Sequence, residues 1–178
     1  MLDVGSGTGR WTDELASSVA YYHGIDFSAG LVEYARQRHP PGPRVGFTVA
    51  SADDYSLESL GVGEPFDVIL CCGVMIYLND DEVDRALRCM AEVCAPQARI
   101  VLREPVGIAD RLTISEHYSE EMEQTYSAIY RTEEELIRRI GHELGTRGFH
   151  VSDAGDVYEA ALNNRAETIQ RWFVMERP

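Results

Sequence analysis

Short, mainly apolar runs alternate with amphipathic stretches along the chain up to about residue 104. The runs lie at residues 1–4, 21–26, 45–49, 66–72 and 98–103. Such short runs between helical stretches are typical of strands in a parallel sheet, because both faces of these strands are buried. The pattern predicts an α/β fold with a doubly wound, mostly parallel sheet and helices on both faces.

Capping residues indicate where the helices begin. Ser28 precedes a helical stretch that runs to about Arg38. Thr132 and Glu135 have the spacing of a capping box, which predicts a helix to about Gly145. Two more helices are expected, one over residues 10–18 and one that begins at Asn79 or Asp80 and ends before Ala95-Pro96.

The alternation changes after residue 104. Residues 113–128 are polar and helix-prone, and we expect residues 105–130 to lie over a cleft as a lid. Two final strands are expected, at residues 149–160 and 168–176. The length of 178 residues suits one domain, and we expect residues 1–178 to form it.

The segment Asp3-Val4-Gly5-Ser6-Gly7-Thr8-Gly9 places three alternating glycines between a predicted strand and a predicted helix. Glycines at such a turn let backbone N–H groups approach a ligand closely, although a tight turn that binds nothing is the simpler alternative. A dinucleotide fingerprint would need glycine at position 10, where this chain has Arg10. Asp26 ends the next run, at the position where an acid accepts hydrogen bonds from ribose hydroxyls.

These features resemble motif I and the neighbouring motifs of the class I S-adenosylmethionine-dependent methyltransferases. The glycine loop, Asp26, the loop at residues 50–54 and the runs at 66–72 and 98–103 have the order and spacing found in that family. The resemblance implies a Rossmann-like sheet in the order 3-2-1-4-5-7-6, with one antiparallel strand. It also implies S-adenosyl-L-methionine as the cofactor and S-adenosyl-L-homocysteine as the product.

The resemblance also implies which residues contact the cofactor. Asp26 would bind the ribose, Asp53 would accept from the adenine amine, and Arg10 would pair with the cofactor carboxylate. The family often has aspartate where this chain has Ser51, and Arg10 has the alternative of an exposed residue in the first helical turn. The complete predicted set is Asp3, Gly5, Gly7, Gly9, Arg10, Asp26, Phe27, Ser51, Ala52, Asp53 and Cys72.

Candidates for a base or for holding the acceptor follow the fourth and fifth runs. Tyr77 lies just past the fourth run, and Glu104 precedes Pro105, which is expected to end a regular central strand and turn the acid into the cleft. His117 is the only histidine in the expected lid. Each has a structural alternative: packing for Tyr77, a partner cation for Glu104 and solvation for His117. Two further candidates are Tyr118 and Tyr130.

Composition restricts the partners. With 16 basic and 30 acidic residues the net charge is −14, which argues against a nucleic acid because phosphate binding needs a basic face. The sequence shows neither a membrane-spanning run nor a signal peptide, and we expect a cytoplasmic protein. The four cysteines lack zinc-finger spacing, so we expect no metal site. In a cytoplasmic protein we expect them to be reduced and mostly to pack. They are Cys71, Cys72, Cys89 and Cys94.

The predicted function is methyl transfer to a nitrogen, oxygen or carboxyl group of a small molecule, by a monomer or homodimer. One alternative is a protein or peptide α-N-terminal methyltransferase, which the segment Gly5–Arg10 resembles. That group usually has histidine at position 77 and Asp-Asn near residues 104 and 105, unlike this chain. The other alternative is a cofactor-binding protein without turnover. Residues usually precede motif I in the family, so the lid is expected from residues 105–130 or a second subunit, unless the chain is shortened.

Overall fold

The computed structural model describes residues 1–119, 124–163 and 165–178. The strands are β1 Leu2–Val4, β2 Tyr22–Asp26, β3 Val45–Val49, β4 Phe66–Cys72, β5 Cys94–Gly107, β6 Leu112–Ser119, β7 Gln124–Tyr130, β8 His150–Asp156 and β9 Thr168–Arg177. The helices are α1 Thr12–Leu15, α2 Ala29–Arg38, α3 Leu57–Leu60, α4 Asp80–Glu92 and α5 Glu133–Glu143, and single 3-10 turns lie at Met75–Tyr77, Gly145–Arg147 and Ala160–Leu162.

Seven strands form one sheet in the spatial order β3-β2-β1-β4-β5-β9-β8. The pairs among β1 to β5 are parallel, whereas β9 pairs antiparallel with both β5 and β8. Counted along the sheet strands alone, this is the order 3-2-1-4-5-7-6. The predicted fold class and strand order are confirmed.

The core lies on both faces of this sheet. Tyr22 and Ile25 are fully buried and, three residues apart in β2, point to opposite faces. Helices α4 and α5 pack with the cluster that contains Ile25, through residues such as Leu87, while α2 packs with the cluster that contains Tyr22, through Val32. Apolar side chains that point alternately to the two faces of the strands therefore fix the two helical layers.

The prediction of a helical lid at residues 113–128 is wrong, because the described part of this segment is a β-hairpin. Strands β6 and β7 pair antiparallel from Leu112 opposite Tyr130 to Ser119 opposite Gln124. The segment contains threonine, isoleucine and tyrosine, which are residue types that favour a strand over a helix. A bulge interrupts the pairing between Ile114 and His117.

Two further expectations are corrected by the structure. The first helix covers only Thr12–Leu15, a part of the predicted span. Strand β5 does not end at Glu104, because it continues to Gly107 with β9 paired along it. The pairing of β5 with β4 ends at Arg103, so Pro105 lies where the strand has lost that neighbour and is tolerated there.

Within the described residues, no helix has the length and apolar character needed to cross a membrane. The cytoplasmic location, the oligomeric state and the single-domain boundary stay predictions.

Candidate functional site

A cleft of about 610 Å³ opens at the carboxyl ends of β1 to β4. Ligands of open α/β sheets bind at this edge, where the connections on either side diverge. Six of the predicted cofactor-contacting residues line the cleft: Gly5, Asp26, Phe27, Ser51, Ala52 and Cys72. Eight other residues line it as well: Leu31, Ala50, Gly73, Val74, Tyr77, Leu78, Glu82 and Tyr126.

The glycine loop combines one crowded and one open position. Gly5 has a φ of 76°, and a Cβ built there would lie 2.2 Å from Val74 Cγ2. Gly7 has a φ of 54°, and a Cβ there would meet nothing within 4 Å. The loop therefore needs glycine at position 5 for close packing, and it leaves open space beside the backbone of Gly7.

Asp26 lies at the tip of β2 and is held by the backbone. Its Oδ2 accepts from Gly7 N at 3.0 Å, and its Oδ1 accepts from Ser28 N at 2.9 Å. Each carboxylate oxygen can accept a second hydrogen bond. Asp26 therefore keeps acceptor capacity on the wall of the cleft, in a fixed orientation that suits two neighbouring hydroxyls.

Asp3 is buried beneath the cleft rather than exposed in it. It is 1% exposed, and its Oδ2 accepts a hydrogen bond from the hydroxyl of Tyr22. Burial raises the pKa of Asp3 to about 6, although the bond from Tyr22 opposes this shift. The structure therefore gives Asp3 a packing role in the sheet, and its predicted contact with the cofactor stays a prediction.

Asp53 and Arg10 do not line the cleft. Asp53 accepts from Arg85 Nε at 3.0 Å and Nη2 at 2.6 Å, and from the hydroxyl of Ser51. Burial alone would raise the pKa of Asp53, but the bonds from Ser51 and Arg85 lower it below its usual value. The Arg10 guanidinium lies 5.7 Å from the ring centroid of Trp11. Their predicted contacts to the cofactor stay predictions.

Cys72 ends β4 and lines the cleft. Burial raises the pKa of its thiol to about 12, so the thiol is protonated at neutral pH. A protonated, half-buried thiol packs as a small apolar group and is a poor nucleophile.

One part of the cleft has aromatic walls. Tyr77 comes from the 3-10 turn after β4, and Tyr126 comes from β7 of the hairpin. The Tyr126 ring meets the His117 ring nearly edge-on, with 5.8 Å between centroids. His117 and Tyr118 are exposed and do not line the cleft, and Tyr130 lies at the end of β7. Sequence reasoning missed Tyr126 as a site residue because it predicted a helix there.

Glu104 lies behind the cleft and is 1% exposed. Its Oε1 accepts from Val74 N at 2.9 Å, so the carboxyl group holds the backbone that follows β4. Burial raises the pKa of Glu104 to about 7, against the opposing effect of the backbone N–H groups of residues 73–76. The expectation that Glu104 turns into the cleft is wrong, because β5 continues through it and directs the side chain under Val74.

An ion cluster joins the hairpin to the turn after β4. We call it the Asp80 cluster, and its members are Asp80, Arg111, Arg131 and Arg139. Asp80 Oδ1 accepts from Arg131 Nε at 2.8 Å and from Arg111 Nη2 at 3.0 Å. Burial opposes the charge of Asp80, but the hydrogen bonds from Arg111 and Arg131 lower its pKa to about 2.

Comparison with known proteins gives the chemistry of related chains. Residues 1–97 match a family described as a methyltransferase domain. The dTDP-4-amino-2,3,4,6-tetradeoxy-D-glucose N,N-dimethyltransferase of Saccharopolyspora spinosa is 33% identical over 113 residues, which are 62% of this chain and 42% of that protein. The chain thus spans less than half the length of this relative.

Solved structures share the fold over nearly the whole chain. The 1,6-didemethyltoxoflavin-N1-methyltransferase of Burkholderia thailandensis, with bound 1,6-didemethyltoxoflavin and S-adenosylhomocysteine, has a TM-score of 0.72 at 20% identity and covers 99% of this chain and 69% of its own. A SAM-dependent methyltransferase of Methanosarcina mazei has a TM-score of 0.72 at 16% identity, covering 99% of this chain and 91% of its own. At these identities the likeness establishes the architecture.

Proposed function

Because the chain belongs to the methyltransferase-domain family, we propose that it transfers a methyl group from S-adenosyl-L-methionine to a nitrogen, oxygen or carboxyl group of a small molecule. The resemblance to the class I S-adenosylmethionine-dependent methyltransferases is thereby confirmed. When bound, the cofactor supplies a methyl group that is already electrophilic because it is carried by a sulfonium.

The observation that carries the proposal is the junction of the glycine loop with Asp26 at the carboxyl edge of the sheet. Asp26 is fixed by Gly7 N and Ser28 N and retains acceptor capacity on the cleft wall. Open space lies beside Gly7, so the loop can admit a ligand without moving. These features fit a ligand whose ribose hydroxyls donate to Asp26 and whose remaining part lies against the glycine loop.

The side chains divide the cleft between a cofactor and an acceptor. Asp26 would bind the ribose hydroxyls, and residues 50–52 would border the adenine. Gly5 and Cys72 would border the methionine portion, whereas Tyr77 and Tyr126 would face the acceptor. The hairpin would exclude water from this side, which strengthens polar contacts and favours alignment of the reactants.

Relatives support a small acceptor. The relative from S. spinosa is named for an amino sugar, and the B. thailandensis enzyme for a toxoflavin precursor. A protein α-N-terminal acceptor is not favoured, since these relatives are named for small molecules. A cofactor-binding protein without turnover would have the same cofactor affinity as an enzyme. A screen of acceptors for methyl transfer separates these two functions.

The first test is calorimetric titration of the purified chain with S-adenosyl-L-homocysteine. A dissociation constant in the micromolar range or lower is the expected result, with NADH giving no heat of binding at equal concentration. A folded sample that binds neither ligand would overturn the proposed function.

Replacing Asp26 with alanine is expected to raise that dissociation constant by about 5- to 150-fold, which corresponds to about 1–3 kcal/mol of lost charge-assisted hydrogen bonding. The matched control is Glu33→Ala, at an exposed position on α2, which should leave the affinity unchanged. Equal affinity of the Asp26→Ala variant and the unmodified chain would remove Asp26 from the site.

A further inference from the structure

The acceptor-facing side of the cleft has two walls, which come from separate elements of the fold. One wall is the 3-10 turn Met75–Tyr77, which carries Tyr77, and the other is the β6–β7 hairpin, which carries Tyr126. The hairpin forms a separate two-stranded sheet. An isolated two-stranded hairpin is marginally stable in water, so its position depends on how its ends are attached.

Asp80 attaches both ends of this hairpin. Arg111 immediately precedes β6, and its Nη1 and Nη2 donate to Asp80 Oδ2 and Oδ1 at 2.9 and 3.0 Å. Arg131 immediately follows β7, and its Nε donates to Asp80 Oδ1 at 2.8 Å. Asp80 is the first residue of α4, so one carboxylate ties both feet of the hairpin to the start of a core helix.

The same cluster reaches the other wall. Arg131 is 3% exposed, and its Nη1 and Nη2 donate to Met75 O at 2.8 Å and Leu78 O at 2.7 Å. These two carbonyls flank Tyr77 in the chain. A single guanidinium therefore contacts the backbone on either side of Tyr77 while it also contacts Asp80.

We propose that Asp80 is a positioning residue that sets the separation between the Tyr77 turn and the hairpin by holding Arg111 and Arg131 together. Its effect on the reaction is indirect, because it aligns the two walls without touching the reacting atoms. Naming these walls acceptor-facing rests on the proposed function. The attachment itself is a property of the chain and can be tested without turnover.

The chain offers two matched controls for Asp80→Asn. Asp84 lies one turn later on α4, and its Oδ1 and Oδ2 accept from Arg139 Nη1 at 2.7 and 2.8 Å. Asp84→Asn therefore removes an ion pair between α4 and α5 but none to the hairpin. Asp81 is exposed in the first turn of α4, so Asp81→Asn removes the same charge from the helix N-terminus as Asp80→Asn does.

The experiment is amide hydrogen exchange of the three variants and the unmodified chain, resolved for residues 112–119 and 124–130, with the S-adenosyl-L-homocysteine affinity measured alongside. Asp80→Asn should accelerate exchange in these two strands by about tenfold or more, because charge-assisted hydrogen bonds at both feet are lost. Exchange in β1 and β4 and the ligand affinity should stay within about twofold. Asp81→Asn and Asp84→Asn should leave the hairpin unchanged.

Coupling gives a second readout that a general structural role would not produce. Arg111→Gln alone should accelerate hairpin exchange. Adding it to Asp80→Asn should have little further effect, since both changes break the same contact between Arg111 and Asp80. Unchanged hairpin exchange in Asp80→Asn, an equal change in either control, or uniform acceleration across the sheet would each overturn the proposal. Loss of ligand binding in the unmodified chain would count against the proposed function and leave the attachment to be judged by exchange alone.

Discussion

Replacing Arg131 with methionine is expected to lower the free energy of unfolding by about 1–3 kcal/mol, the cost of leaving a buried acceptor without its donor. The guanidinium is 3% exposed and donates to Asp80, Met75 O and Leu78 O. Methionine fills a similar volume but donates nothing, so Leu78 O loses the bond from Arg131 and Met75 O keeps only the bond from Leu78 N. Each unsatisfied buried acceptor costs about 1–3 kcal/mol. Asp80 keeps Arg111 and Arg139, which limits the loss.

Denaturant unfolding at neutral pH measures this difference. The control is Arg99→Met, which removes an exposed ion pair with Glu176 and should change stability by at most about 1 kcal/mol. If Arg131→Met loses no more stability than the control, Met75 O and Leu78 O find other donors. That result would also remove the argument that Arg131 fixes the Tyr77 turn.

Local signals explain why much of the fold could be predicted. The caps at Ser28, Asn79 and Thr132 each involve residues three positions apart, and all three accept the predicted backbone hydrogen bond. The buried strands were recognisable because a parallel strand is apolar on both faces. The hairpin was missed because residues 113–128 combine polar residues, which suit an exposed helix, with tyrosines and threonines, which suit a strand.

The chemistry of the site was less predictable, because its decisive contacts join distant residues. Glu104 meets Val74 across 30 positions, and Arg131 meets Asp80 across 51. Asp53 is predicted to lie at the adenine, and the sequence did not show that its Oδ2 also accepts from Arg85, 32 positions away. A single sequence shows which residues can ionise. Which of them become buried or paired depends on the tertiary fold.

The electrostatics of Glu104 lead to an expected result that differs in sign from that of an ordinary paired carboxylate. Burial raises the pKa of Glu104 from 4.5 to about 7 in the folded chain. Between these values the folded state binds a proton that the unfolded state has released, so stability falls as pH rises from about 4.5 to 7. Over this range the free energy of unfolding falls by about 3 kcal/mol in total, since each pKa unit corresponds to about 1.4 kcal/mol.

Glu104→Gln should remove this pH dependence while keeping an acceptor for Val74 N. The variant should be about as stable as the unmodified chain at pH 4.5 and more stable by up to about 3 kcal/mol at pH 8. Unfolding both proteins in denaturant at several pH values gives the difference in their free energies of unfolding. The contributions of other titrating groups cancel because both proteins contain them. Parallel curves would mean that Glu104 is ionised in the folded state throughout this range.

The same variant separates two roles for this carboxyl group. A glutamine that keeps the turn at residues 73–76 in place should preserve the affinity for S-adenosyl-L-homocysteine within about twofold. If Glu104 only positions that turn, turnover on an identified acceptor should also persist in Glu104→Gln. If turnover is lost while affinity and stability are kept, the Glu104 carboxyl itself takes part in handling the acceptor, from its buried position beneath Val74.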